Sequence, residues 1–150
     1  MTIGDIRREL KMYYEYQREV DALGREIAQL KAEKDRILSA GSKNDGQPRG
    51  SDTSDPTYAQ ARLRIDHFDA KIARALERQK EYLSKLSRID RWLDMLPAIR
   101  RGIIREKYCK LREWHAVARE FKYSVSYCKA LTSEAIEFIA KTWDEKNSTL

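Results

Sequence analysis

From Ile6 to Ile37 the chain repeats one step pattern: Ile6, Leu10, Tyr13, Gln17, Val20, Leu23, Ile27, Leu30, Lys34 and Ile37 follow each other at intervals of three and four. That interval marks one face of a helix. The helix predicted over residues 6–38 would run roughly 50 Å at ~1.5 Å per residue. Such a length exceeds a small globular core, so the stripe has to lie lengthwise along another helix. Gly24 interrupts it and weakens it by about 1 kcal/mol relative to alanine.

A second, more regular stripe supplies the partner: Ile65, Phe68, Ile72, Ala75, Gln79, Tyr82, Leu86, Ile89, Leu93 and Leu96. It keeps alternating three- and four-residue steps over five pairs, the signature of a coiled-coil seam. Gln79 and Gln17 are polar interruptions of the kind that set register or partner choice. Between the stripes, residues 39–55 hold three glycines, one proline and a single apolar side chain, Ala40. This stretch reads as a flexible polar loop, because it buries too little to offset the entropy of ordering. Asp55-Pro56-Thr57 closes it as an N-cap with proline at the first helical position. Residues 1–96 are therefore expected to form a long antiparallel helical hairpin, although the same stripes also permit pairing between two chains as a homodimer.

Pro97 ends the second stripe. Three short helical patterns follow: 98–108 with Ile99, Ile103, Ile104 and Tyr108 inward; 113–121 with Trp114, Val117, Ala118 and Phe121 inward; and one opening at Ser124 with Tyr127 or Cys128, Leu131, Ala135, Ile136 and Ile139 inward. Trp92 and Trp114 read as seam or core anchors. Only Lys122-Tyr123 separates the last two helices, and Ser124 caps the second of them. Two short helices about a tight turn form the helix-turn-helix pattern. The expected architecture is all-α: a coiled-coil-like hairpin over 1–96, a C-terminal helix-turn-helix unit over 97–141, and a tail over 142–150.

Charge sharpens this reading. The chain carries 30 Lys and Arg against 24 Asp and Glu, a net charge of +6, and residues 97–133 alone hold nine basic and three acidic side chains. A clustered basic field draws polyanions and speeds their encounter. A solvated helical surface accounts equally well for each of these cations taken singly. No apolar run approaches the roughly 18 residues of a membrane span. The first residues lack the pattern of a signal peptide, so the expectation is a cytoplasmic protein without a membrane partner.

Catalytic and metal chemistry find little footing. His67 and His115 lack ligands at a metal-binding spacing. There is no Ser-His-Asp order, phosphate-cradling glycine loop or nucleophile turn. The reading is a non-enzyme without cofactor or metal. Cys109 and Cys128 are too few for a disulfide framework and read as reduced and partly buried, with a redox switch at Cys128 the minor alternative.

The run from Lys107 to Ser124 (KYCKLREWHAVAREFKYS) resembles the end of the phage ArpU/RinA-type transcriptional regulators, which are similar in turn to sigma-factor region 4. The shared pattern is a basic-Tyr pair, a Trp opening the second helix, a small-residue pair at Val117-Ala118, and Tyr-Ser opening the recognition helix. Glu26, Ile27 and Leu30, and Ser54-Asp55-Pro56-Thr57 before the long helix, also look like that family. Leu111 and Lys122 stand where such proteins commonly carry glycine. Ala130 and Thr132 stand where arginine and histidine are expected.

The resemblance implies a phage-encoded DNA-binding regulator, controlling late genes and acting in the bacterial host cytoplasm. The helix opening at Ser124 would enter the major groove. Ser124, Val125, Ser126, Lys129, Ala130 and Ser133 would face the bases, with Tyr127 at the boundary. Arg112, Arg119 and Lys122 would reach phosphates. Arg100, Arg101 and Arg105 could extend that track. Two other functions fit the same outline. One is DNA-packaging recognition of the small-terminase kind. The other is a basic module that binds an acidic surface such as RNA polymerase without touching DNA.

Overall fold

A computed structural model describes residues 1–42 and 56–148. Helix α1 spans Ile3–Ser42, α2 Pro56–Asp94, α3 Ala98–Ile104, α4 Trp114–Phe121 and α5 Val125–Ser148. A π-helical turn, Arg105–Cys109, prolongs α3. The described residues contain no strand, and none of their helices is long and apolar enough to cross a membrane. Most of the polar loop expected over 39–55, with the Asp55 cap, lies outside the described residues. Pro56 does open α2, and residues 39–42 belong to α1.

The chain forms two compact units, Met1–Arg18 with Tyr82–Leu150, and Glu19–Glu81. In the second unit α1 and α2 pair antiparallel. Leu23, Ile27 and Leu30 are buried, as are Ile72 and Ala75. Lys34 bridges to Asp69 at 2.7 Å. Gln79, a polar seam position, donates its Nε2 to the Val20 carbonyl at 3.2 Å, so an amide there is satisfied across the seam.

In the first unit the start of α1 lies against the end of α2. Ile6, Leu10, Ile89, Trp92 and Leu93 are fully buried. Tyr13 donates to Asp90 at 3.1 Å, and Tyr16 donates to Glu9 at 2.8 Å. Glu9 in turn pairs with Arg88 at 3.3 Å. Burial, seconded by these carboxylates, pushes both phenols up to about 12. Here the seam departs from the expected series. Tyr16 is buried and Gln17 exposed, because a step of three from Tyr13 places an aromatic body inward and leaves the amide in water. The Trp92 ring meets Trp143 edge-on, with centroids 6.0 Å apart.

Helix α1 opens with a reciprocal cap. Asp5 donates its N–H to Thr2 Oγ1, and Thr2 donates its N–H to the Asp5 carboxylate, both at 3.1 Å. Two end groups that lack helical partners are thereby satisfied. Hydrogen bonds from Thr2 hold the Asp5 carboxyl below the usual range.

After Pro97 the three short helices fold as the periodicity predicts, with two corrections. Ile99 is 48% exposed and not part of the core. Helix α5 continues through Ser148, so the residues read as a tail begin as helix, and Trp143 packs on Trp92. The helix-turn-helix core joins Ile103, Val117, Ala118, Cys128 and Leu131, with Trp114, Phe121 and Val125 packed at its margin.

Candidate nucleic-acid interface

The turn between α4 and α5 is built on one residue. Lys122 takes a left-handed backbone, φ 60°, and the Tyr123 N–H bonds back to the Ala118 carbonyl at 3.0 Å. This is a helix C-terminal stop that usually employs glycine. Ser124 then caps α5: its Oγ accepts from the Tyr127 N–H at 3.1 Å, and its carbonyl from the Cys128 N–H at 3.0 Å. The serine thus serves the backbone, as its position at the helix start requires.

Cys128, Leu131 and Ala135 turn α5's inner face into the core. Thr132 goes with them. It is only 2% exposed, and its hydroxyl donates to the Cys128 carbonyl at 2.9 Å. Residue 132 therefore belongs to the inner face of α5 and not to its outer surface. The opposite face is in solvent: Ser126, Ala130 and Ser133 follow at helical steps, flanked by Lys129 on one side and Tyr127 on the other. Val125 is half-buried against the core, so it contributes less to the outer face than expected. Tyr127 is 49% exposed. The Tyr123 ring meets it edge-on with centroids 4.9 Å apart. Tyr123 was not among the expected contact residues. Its signal in the sequence is the four-residue step to Tyr127 across the cap.

The cations divide into two groups. Arg100 pairs with Glu134 at 3.0 Å, and Arg101 donates to the Leu96 carbonyl at 3.0 Å, where it covers the end of α2. Lys107 sits 5.1 Å over the Trp114 ring. Arg112 is held from two sides, by Glu106 at 2.9 Å and by Glu120. It lies beside Leu111, whose φ of 55° reverses the chain, and its own N–H bonds to the Glu106 carbonyl at 3.1 Å. The Lys110 ammonium at 2.7 Å and the Arg112 guanidinium hold the Glu106 carboxyl below its usual range. Expected as a phosphate ligand, Arg112 is placed as a staple between the π-helical turn and α4. Within residues 97–133, Arg105, Arg119, Lys122 and Lys129 are exposed cations with no carboxylate of the described residues within 4.0 Å. Three of these four lie on α4, the turn and the opening of α5.

Burial pushes the Cys109 thiol up to about 12 and raises that of Cys128, which is fully covered. Neither thiol is activated. Both histidines are exposed, and no cluster of His, Cys, Asp or Glu that could hold a metal occurs among the described residues. In the second unit, Leu38, Tyr58 and Ile65, with Arg62 and Asp66, line an open recess of about 370 Å³ that brings no nucleophile and base together.

No known protein family, curated protein or solved structure matches the chain.

Proposed function

We propose that the chain is a non-enzymatic DNA-binding protein that sets the exposed face of α5 into the major groove of a duplex. One observation carries this reading. The exposed start of α5 is bordered by Arg119, Lys122 and Lys129, for which no carboxylate lies within 4.0 Å among the described residues, while Arg100, Arg101 and Arg112 of the same unit are engaged within the protein. Surface cations left unpaired beside an exposed helix opening are free to displace counterions from phosphates. The likeness of Lys107–Ser124 to the ArpU/RinA-type ending adds a purpose, transcriptional control in a phage.

Binding of the full chain to a mixed-sequence duplex at low salt tests the reading, with Lys129→Ala as the diagnostic variant. Wild type is expected to bind and Lys129→Ala to bind several-fold more weakly. Absence of binding at about 50 mM salt would remove the DNA reading and favour a basic surface for an acidic protein partner.

A further inference from the structure

The proposed groove-facing surface has an unusual chemical inventory. Residues 124–133 read SVSYCKALTS, with no arginine, asparagine or glutamine. The planar bidentate forks of arginine for guanine and of asparagine or glutamine for adenine are therefore missing from the opening of α5, and Lys129 is the one side chain there of a kind that reads guanine. Lys129 brings a single point charge, which serves a phosphate as readily as a base. Ser126 and Ser133 bring hydroxyls, which accept either partner at a base edge. Beside the Tyr127 hydroxyl, the remaining exposed groups are apolar: the Ala130 methyl and the Tyr127 ring, three residues apart on neighbouring parts of the same surface. The Tyr127 ring is also held in place, because Tyr123 abuts it edge-on at 4.9 Å. Holding an exposed ring in one orientation lowers the entropy lost when it meets a partner.

Among the four bases, one presents an apolar group in the major groove, the 5-methyl of thymine. Resting on the duplex-binding reading above, we infer that the Tyr127–Ala130 surface selects thymine by burying its 5-methyl group. Specificity then comes from apolar contact and not from a hydrogen-bond pattern. Each methyl buried contributes about 4-fold in affinity.

Uracil tests this directly, because it keeps every hydrogen-bonding edge of thymine and lacks only the methyl. The full chain is titrated with alternating poly(dA-dT) and with alternating poly(dA-dU) at the same low salt. The expected result is binding to both, tighter to the thymine polymer by about 4- to 15-fold, one or two methyl contacts. Tyr127→Ala is expected to reduce that ratio towards one while retaining affinity for the uracil polymer, and Tyr127→Phe to preserve it. Far-UV circular dichroism confirms that each variant is folded. Equal affinity of wild type for the two polymers overturns the methyl-selection inference and leaves duplex binding standing. Failure to bind either polymer overturns both. An undiminished ratio in folded Tyr127→Ala also overturns the inference, since the ring would then not be the reader.

Discussion

The Phe121 ring closes over Gly102: a β-carbon at position 102 would stand 2.9 Å from the ring's Cζ and 3.1 Å from its Cε1. The contact joins α3 to the end of α4, next to the left-handed Lys122 from which α5 departs. Phe121 is packed on the helix-turn-helix core and has little freedom to yield. Gly102→Val is expected to destabilise the protein by about 1–3 kcal/mol through overpacking. Gly24 is the contrasting case, since a β-carbon there would meet only Gln79 Nε2, at an ordinary 3.5 Å. Gly24→Ala is expected to stabilise by about 1 kcal/mol. Urea unfolding monitored by circular dichroism measures both, and a stable Gly102→Val would show that the ring is not a fixed obstacle.

Lys122 separates stability from binding. Its left-handed backbone costs a side chain about 1–2 kcal/mol relative to glycine. Lys122→Gly is therefore expected to raise the melting temperature and, at the same time, to weaken duplex binding. Leu111→Gly relieves the same strain at φ 55° and should raise the melting temperature with binding unchanged. Parallel loss of stability and binding in Lys122→Gly would contradict this assignment.

The Glu106–Arg112 staple predicts acid sensitivity. The folded Glu106 carboxyl lies below the ordinary 4.5, so its folded state binds its proton less readily than its unfolded state. The stabilisation is present above the unfolded value and disappears as pH falls through the folded one. Wild type is expected to exceed Glu106→Gln in stability at neutral pH, with the gap closing progressively below about pH 4.5. A pH-independent gap would mean that charge is not the cause. Arg112→Ala should lower the melting temperature, yet change the salt slope of DNA binding by less than the about one unit expected for a lost phosphate contact.

The thiols are expected to be inert. Burial raises both Cys109 and Cys128, so the folded protein should react with a disulfide reagent far more slowly than the urea-unfolded chain. Reaction of the folded thiols at the unfolded rate would contradict their burial.

Much of this architecture was legible because long helices announce themselves by period. The stripes Ile6–Ile37 and Ile65–Leu96 contain the buried residues of α1 and α2 other than Tyr16 and Trp92, and the Ser124 cap and the Lys122-Tyr123 turn fall where expected. The errors come where several residues compete for one face. Tyr16 displaced Gln17 because a helix seam accepts a step of three or of four, and only the opposing helix decides between them. Ile99 is outward because α3 is short and Ile103 and Ile104 already fill its inner side. At the candidate interface, the outer face of α5 could be read from the period. The engagement of Arg112 could not, since Glu106 and Glu120 reach it through a chain reversal at Leu111 that no periodicity signals. The side of Thr132 was not legible for a related reason: its size and hydroxyl suit either face, and the packing around it chose the core.

The most direct test of the account is the salt dependence of duplex binding by the full chain. Log Kd plotted against log salt is expected to be steep, with wild type using about three phosphate contacts and Arg119→Ala, Lys122→Ala and Lys129→Ala each reducing the slope by about one. A salt-independent affinity, or a slope that none of the three substitutions alters, would show that the start of α5 is not where a duplex binds.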